Sequence, residues 1–507
     1  MLNRVSFCLG LLIAPCAARG VREAREIVVD ASKPVGRLKN LQGINSADSA
    51  YIPPGPWNQD TFYNKDAQIG ALFPEYGIKH VLIYTFPDVF LGFGKTGVDA
   101  DPMVNVNYNW TGADDYVRFV ADNGANVLYS RAYTSYYDAN RPVGNDSIPG
   151  IICPPTPSVI TNSFFSANKC DQQQRFFPRD IGSNRLHDDR SLRVRVSHLL
   201  FGRLVKLEPR NGAYDSGFRN AVEMFEFLPE TDLLRTGFSD ESYEEHFAYF
   251  AQFSRAVTEA SAEVGVSAWG GNQFYPVKTN YTVYNPYISR FYKDCHDRKV
   301  PIKAASFHFT NSQFSFDPYD IVRITDKFRA EILVPAGLPD LAIWATEYEP
   351  APFPVQPRSP SALQSFKDPA FFASFTLGVS MYAQDTSIEQ GLPWPGFGYN
   401  GTGAGDQPFQ GFFNRSPSGP IPLNVAKAWF LQGKLVTETP ARLRVQGTSD
   451  NGFAVLSGIS DDETKVHVLL NNYQFDYDIA REITALMAPT LNTSASAYPL
   501  LQENGRK

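Results

Sequence analysis

Two short runs of sequence decide the fold, Val222-Glu-Met-Phe-Glu-Phe-Leu-Pro-Glu230 and Leu341-Ala-Ile-Trp-Ala-Thr-Glu347. Each contains the apolar residues of a buried strand and ends on a glutamate just beyond the strand pattern. Three further strand–helix units separate them. If each unit adds one strand to a barrel, Glu230 and Glu347 end strands 4 and 7, at the end of the barrel where catalytic groups collect.

Strand and helix patterns alternate on both sides of these runs. Strand patterns cover Ile78–Tyr84, Asn126–Ser130, Val266–Gly270 and Ile302–Thr310, and helix patterns cover Thr111–Asp122, Tyr243–Ala262, Asp320–Ile332 and Asp368 to about Val379. Such alternation is typical of βα units around a parallel sheet. The fold class we predict is α/β, a (β/α)8 TIM barrel with an accessory antiparallel β-sandwich-like domain.

A change in the pattern of predicted helices and strands gives the predicted domain bounds. After about Gly433 three short β runs separated by turn residues predict the β-sandwich-like domain, residues 433–507. The barrel is predicted over 21–432, with an insertion at about 141–212 in which no element is predicted. Three runs are few for a complete sandwich, so either the early strand Ile27–Asp30 pairs into it or the chain stops early.

The first twenty residues have the pattern of a secretory signal peptide. Arg4 precedes an apolar run from Val5 to Ala14, and small residues follow up to Ala18. This pattern predicts cleavage near Ala18 and a secreted, extracellular protein. The rival interpretation, a transmembrane anchor, needs a longer apolar run of about 17 residues.

Sequons and cysteines agree with an oxidising compartment. Six Asn-x-Ser/Thr sequons favour a glycoprotein, at Asn109, Asn145, Asn280, Asn400, Asn414 and Asn492. Cys153 and Cys170 are close enough in the chain to close a short loop, which sequence alone does not establish. Cys295 would then be an unpaired thiol.

Composition excludes several classes of protein. The 507 residues are 43% hydrophobic and 20% charged, unlike a disordered chain. The net charge of −7 disfavours a nucleic-acid binder. There is no phosphate loop, dinucleotide fingerprint or Cys-x-x-Cys pair, so no cofactor and no metal are predicted. The aromatic fraction is 14%, more than an ordinary core requires.

A pair of carboxylates at strand ends suits glycosidic cleavage. One protonates the leaving oxygen, while the other attacks the anomeric carbon or activates water. The plainer interpretation is that both are surface glutamates at loop starts. Glu223, Glu226 and Glu349 lie close in the sequence, and strand alternation puts Glu226 on the face opposite Phe225 and Phe227.

The same residues resemble glycoside hydrolase family 39, the family of β-xylosidases and α-L-iduronidases, as a fungal-type secreted member. Phe225-Glu-Phe-Leu-Pro-Glu-Thr-Asp-Leu233 is similar to the family's Trp-Glu-x-Trp-Asn-Glu-Pro-Asp-Leu motif, and Thr346-Glu-Tyr348 is similar to Thr-Glu-Trp. The resemblance implies that Glu230 is the general acid/base and Glu347 the nucleophile. It also places His308 at the end of the sixth strand, in the site, unless it is simply a buried histidine with its hydrogen bonds made.

The chain departs from this family at the position before the acid/base. The family's asparagine, which bonds the sugar 2-hydroxyl, is Pro229 here. Proline has no side-chain donor, so the departure bears on substrate and activity more than on fold.

Several residues just past strand ends are predicted to contact substrate. The set is Tyr84, Phe86, Asn272, Tyr275, Tyr348 and Trp394. Flat rings with polar tips suit a sugar-binding cleft. The alternative is that they terminate strands or pack loops.

The predicted function is that of a secreted retaining glycoside hydrolase, β-xylosidase-like, cleaving O-glycosidic bonds of plant or fungal cell-wall saccharides. The predicted partner is an oligo- or polysaccharide, with no nucleic acid and no membrane after signal cleavage. A retaining pair of carboxyl groups is about 5–5.5 Å apart, and about 9 Å indicates inversion. The alternative is a carbohydrate-binding pseudoenzyme on the same TIM barrel.

Overall fold

The structure is a computed structural model of the 507-residue chain. It describes residues 5–8, 26–46, 67–85, 111–131, 222–227, 240–260, 265–271, 274–277, 280–283, 287–309, 317–348, 369–393, 412–416, 419–450 and 452–473.

Strands and helices alternate through most of this range. The strands are β1 (Val5–Cys8), β2 (Glu26–Arg37), β3 (Gly43–Ser46), β4 (His80–Thr85), β5 (Asn126–Arg131), β6 (Val222–Phe227), β7 (Gly265–Gly271), β8 (Phe274–Val277), β9 (Asn280–Val283), β10 (Ala304–Phe309), β11 (Ala342–Tyr348), β12 (Ile388–Pro393), β13 (Phe413–Ser416), β14 (Gly419–Pro422), β15 (Ala441–Gln446), β16 (Phe453–Ile459) and β17 (Val466–Asn472). The helices are α1 (Ala67–Gly70), α2 (Thr111–Asp122), α3 (Asp240–Ala260), α4 (Tyr287–Asp297), α5 (Asp320–Phe328), α6 (Pro369–Ala383) and α7 (Asn424–Glu438).

Eight of these strands form one parallel sheet. Its order is β12-β11-β10-β7-β6-β5-β4-β3, and every neighbouring pair is parallel. The two end strands, β12 and β3, lie against each other and bring the sheet round almost to closure. Helices α2 to α6 fall between successive strands, so the predicted (β/α)8 barrel is confirmed.

The inside of the barrel is filled by side chains. One inward layer is apolar and fully buried, formed by Leu82, Leu128, Met224, Ala304, Trp344 and Leu392. Side chains from different strands interdigitate there, which makes the barrel a packed core and not a pore.

Many of the aromatic side chains that the structure describes lie between the barrel and its helices. Phe225 and Phe227 alternate with inward residues of β6 and pack edge-on or tilted against Phe250 and Phe253 of α3. Such aromatic pairs stabilise a layer interface beyond their buried area. The described phenylalanines of this strand and helix therefore serve the core.

A second sheet is antiparallel, in the order β1-β2-β15-β16-β17. Strand β2 pairs with β15, so the early strand does join the antiparallel sheet, as the first of the two alternatives predicts. The predicted boundary at residues 432/433 stays a prediction, although this sheet takes strands from both ends of the chain. Residues Val5–Cys8, within the predicted signal peptide, pair with β2.

The antiparallel sheet is fastened to the barrel through α6. The Tyr382 hydroxyl donates to the Ser449 carbonyl oxygen at 2.7 Å, and the Ser374 hydroxyl donates to Asn471 Oδ1 at 2.9 Å. Because hydroxyl and amide groups at such an interface are removed from water, these bonds fix the position of the antiparallel sheet against helix α6 of the barrel.

Predicted element bounds agree for α2 and β6, and one helix ends early. The pattern predicts a helix over Asp320–Ile332, but the α-helix stops at Phe328 and continues as a π-helical turn, Arg329–Leu333.

Of the helices that the structure describes, none has the length and apolar content that crossing a bilayer requires.

Candidate active site

A β-bulge in β11 puts two consecutive side chains, those of Thr346 and Glu347, on the inner side of the barrel. Phe307 and His308 of β10 pair in register with Ala345 and Glu347 of β11, so Thr346 is an extra residue between them. An extra residue shifts the alternation of side chains beyond it. Glu347 therefore lies beside His308 instead of facing the helices.

The Glu347 carboxylate is held from two sides. Asn45 Nδ2, on β3, donates to Oε2 at 3.2 Å. His308 Nδ1, on β10, lies 3.7 Å from the same oxygen, which is close enough for a charge interaction but long for a hydrogen bond. The Glu347 side chain is 14% exposed and the His308 side chain is completely buried.

These three residues come from three different strands. Each lies near the carboxyl end of its strand, so parallel pairing collects them at one end of the barrel. That is the end where enzymes of this architecture carry their reacting groups. A largely buried carboxylate with an amide donor and an imidazole beside it suits a nucleophile or a base.

A second carboxylate, Glu226, lies deeper in the barrel. It is 2% exposed, and it accepts hydrogen bonds from the hydroxyls of Thr346 at 2.6 Å and Ser130 at 2.8 Å. The sequence prediction that Glu226 faces away from Phe225 and Phe227 is confirmed. Its bonds link β5, β6 and β11 directly beneath Glu347, because Thr346 is the preceding residue.

A different polar cluster occupies the opposite end of the barrel. His80 Nδ1 lies 3.2 Å from Glu223 Oε2, Asn126 Nδ2 donates to the same oxygen at 3.0 Å, and Gln390 Nε2 lies 2.7 Å from His80 Nε2. The adjacent His80 holds the pKa of Glu223 below its usual value, against the effect of burial. Polar groups at this amino-terminal end serve stability.

Several predicted site residues cannot be placed. Glu230, Asn272, Phe86 and Trp394 lie outside the described residues. Tyr84 and Tyr275 belong to strands β4 and β8, whose backbone is described there while these side chains are not. The predicted spacing of the Glu230 and Glu347 carboxyl groups therefore stays a prediction.

Tyr348 lies on the opposite face of β11 from Glu347. Its side chain follows the bulge, pairs in register with Phe309 and belongs to the core between barrel and helices. It is 1% exposed, and burial raises the pKa of its hydroxyl well above the usual value. The structure thus brings Glu347 and His308 together and leaves Tyr348 on the other face of β11.

Asn45 and Thr346 contact site carboxylates although the sequence patterns did not single them out. Asn45 follows the buried Ile44 in a strand of four residues, too short for a clear period-2 pattern. The one available signal for β3 is its position in the chain, because an eight-stranded barrel needs a strand before the one at His80–Thr85. Across the part of the chain that the structure describes, no three His, Cys, Asp or Glu side chains are grouped to hold a metal ion.

Comparison with known proteins supports the fold. No protein-family model and no curated protein sequence matches the chain. Among solved structures, a glucosidase from Croceicoccus marinus aligns with a TM-score of 0.58 and 20% identity over 89% of this chain and 79% of that protein. An alpha-L-arabinofuranosidase from Thermotoga maritima, solved with arabinose, aligns with a TM-score of 0.50 and 10% identity over 88% of this chain and 84% of that one.

A family 39 glycoside hydrolase from Bacteroides cellulosilyticus WH2 also aligns, with a TM-score of 0.44 and 11% identity over 89% of this chain and 74% of that protein. The two neighbours with TM-scores of at least 0.50, the glucosidase and the alpha-L-arabinofuranosidase, show that the barrel fold is shared. Identities this low show a shared fold and do not assign the chain to one family.

Proposed function

We propose that the protein is a retaining glycoside hydrolase in which Glu347 is the nucleophile and Glu230 the general acid/base. One observation carries the proposal: a 14%-exposed carboxylate sits at the carboxyl end of a barrel strand, turned inward by a bulge and held by Asn45. The similar structures described as a glucosidase and an alpha-L-arabinofuranosidase support it.

The proposed reaction has two displacements. Glu347 forms a bond to the anomeric carbon as the glycosidic bond breaks, and Glu230 gives its proton to the departing oxygen. Glu230 then removes a proton from water, whose oxygen displaces Glu347 from the sugar. The sugar leaves with its original anomeric configuration, and both carboxyl groups return to their starting protonation states.

The proposed substrates are cell-wall saccharides of plants or fungi, cleaved in a β-xylosidase-like manner. This part rests on the resemblance of the Glu230 and Glu347 motifs to family 39. Of the described site residues, His308 is the one proposed to contact the sugar, since it lies beside Glu347. Tyr84, Phe86, Asn272, Tyr275 and Trp394 remain further candidates.

A panel of aryl β-xylosides, β-glucosides and arabinosides tests the proposal. The wild type should release the aryl group from at least one of them, and Glu347→Ala and Glu230→Ala should abolish that turnover. Added azide separates the two roles, because it replaces the missing nucleophile in one variant and the attacking water in the other. From a β-glycoside, Glu347→Ala should give the α-glycosyl azide and Glu230→Ala the β-glycosyl azide.

Glu223→Gln is the matched control, because it changes a barrel glutamate at the opposite end. It should keep the turnover of the wild type at a temperature where it remains folded. Full activity in Glu347→Ala would contradict the proposal.

The second candidate is a carbohydrate-binding pseudoenzyme on the same barrel. Pro229 favours it, because this residue stands where the resembling family has a sugar-binding asparagine. Saturable binding of a saccharide by the wild type, with no hydrolysis of any glycoside in the panel, would establish this candidate in place of the hydrolase.

We also propose that the protein is secreted, on the pattern of residues 1–20. Cleavage near Ala18 would remove β1 and leave β2 at the edge of the antiparallel sheet. Amino-terminal sequencing of protein collected from the medium should begin close to residue 19. An intact Met1 on the secreted protein would contradict the cleavage, and absence of the protein from the medium would contradict the secretion.

A further inference from the structure

We propose that Asn45 is a positioning residue that orients the Glu347 carboxylate and stabilises its charge, through a contact that the β-bulge at Thr346 makes possible. The inference rests on the proposed role of Glu347 as nucleophile, and it adds a residue from the first barrel strand to the site.

The side-chain amide of Asn45 donates to two oxygens. Asn45 Nδ2 bonds the Thr346 carbonyl oxygen at 2.9 Å and Glu347 Oε2 at 3.2 Å. An amide nitrogen carries two N–H groups, and both acceptors are oxygens, so the nitrogen and not Oδ1 must face them. The two bonds fix the carboxylate relative to its own backbone.

The bulge leaves the Thr346 carbonyl oxygen available to Asn45. Neither β10 nor β12 has a residue in register with Thr346, because both pairings skip it. A bulged residue interrupts the strand ladder locally, and here Asn45 bonds its carbonyl oxygen. The same bulge turns Glu347 inward, so one backbone irregularity creates both acceptors of Asn45.

Burial makes the contact strong. Asn45 is fully buried, so little water competes for its N–H groups. A hydrogen bond donated to a carboxylate favours the charged form over the neutral one. A nucleophile must be ionised to attack, so this contact widens the pH range over which Glu347 can react.

Asn45→Asp tests the inference because it keeps the shape and removes both donors. The acid limb of the kcat/KM profile should move up by about one pH unit, since the hydrogen bond is lost and a like charge is added. At a pH below the acid limbs of both the wild type and Asn45→Asp, the ratio of wild-type to variant kcat/KM should be about tenfold larger than at the optimum. Asn45→Ser, a smaller and uncharged variant, should shift the limb in the same direction if Asn45→Asp does not fold.

Gln42→Glu is the matched control. Gln42 is an equally buried amide three residues away, and it bonds the Trp429 and Tyr76 carbonyl oxygens instead of the site. This variant should lower thermal stability while leaving the acid limb in place. An unmoved limb in both Asn45 variants, or an equal shift in Gln42→Glu, would overturn the inference.

A measurement without turnover separates this inference from the proposed function. The Glu347 carboxyl can be titrated by carbon-13 NMR in glutamate-labelled protein, with its signal assigned by its loss in Glu347→Gln. The midpoint should rise by about one pH unit in Asn45→Asp. A rise in a protein that hydrolyses no glycoside would support the contact and refute the hydrolase, and an unchanged midpoint would refute the contact.

Discussion

Replacing Thr346 by valine removes one hydrogen bond from the most deeply buried carboxylate of the site. The Thr346 hydroxyl lies 2.6 Å from Glu226 Oε1, and Glu226 is 2% exposed. Valine has the shape of threonine, so no cavity forms. A hydrogen bond to a charged group contributes about 1.5–3 kcal/mol. We expect Thr346→Val to lower the free energy of unfolding by about 2 kcal/mol, near the middle of that range.

Urea unfolding followed by tryptophan fluorescence measures this change, if the slope of the transition is the same in all variants. Thr346→Ser retains a hydroxyl and should recover most of the loss. Ser267→Ala is the control, because the Ser267 hydroxyl is in register with Glu226, is buried and has no hydrogen-bond partner among the described residues. Its removal should cost less than about 0.5 kcal/mol or stabilise the protein. A Thr346→Val effect as small as that of Ser267→Ala would show that the hydrogen bond from Thr346 to Glu226 does not stabilise the fold.

Three further predictions concern groups outside the site. His80 holds the pKa of Glu223 low, so the folded state binds the Glu223 proton less readily than the unfolded state. Glu223→Gln should therefore be less stable than the wild type near pH 7, with the difference shrinking as the pH falls through 4, in urea titrations. Burial and the adjacent Asp320 raise the pKa of Asp317 to about 7, so its contribution to stability should be lost as the pH rises from about 4 to 7. Asp317→Asn should flatten that part of the stability profile, and an unchanged profile would count against the assignment. Cys295 is 1% exposed and burial raises its pKa, so peptide mapping should find it unmodified by a maleimide in the native protein and modified in urea.

The barrel could be predicted from local patterns because its strands are short apolar runs between amphipathic helices. Val222–Phe227 shows this best, since alternation alone predicts that Glu226 lies on the face opposite Phe225 and Phe227, and the structure has the two phenylalanines in the core between barrel and helices. Helix α4 was missed although Ile288, Phe291 and Tyr292 have helical spacing and are buried.

The inward direction of Glu347 could not be predicted in this way. Strict alternation from the inward Trp344 would turn Glu347 toward the helices, and only the bulge at Thr346 reverses it. A second bulge, at Glu223, turns that residue toward His80 in the same manner. A bulge depends on the register between two strands, which is set by the whole barrel and leaves no pattern in one strand.

The contact of Asn45 is also non-local. It joins residues 302 positions apart in the chain, on strands that meet only because the sheet curls until β3 lies against β12. Nothing in the four residues of β3 indicates which side chain will reach the seventh strand of the barrel. Tyr348 illustrates the reverse case, because an aromatic ring just past a strand pattern was expected in the cleft and lies in the core.

Trapping the glycosyl–enzyme intermediate tests whether Glu347 is the nucleophile. In a 2-deoxy-2-fluoro-β-xyloside with a dinitrophenolate leaving group, the fluorine slows both displacements, while the leaving group restores the rate of the first. The nucleophilic carboxylate therefore stays esterified. Mass spectrometry of a tryptic digest should then find one added fluoroxylosyl group on the peptide of residues 330–358, with fragmentation placing it on Glu347. A label on another carboxylate, or hydrolysis of β-xylosides with no label at all, would count against Glu347 as the nucleophile.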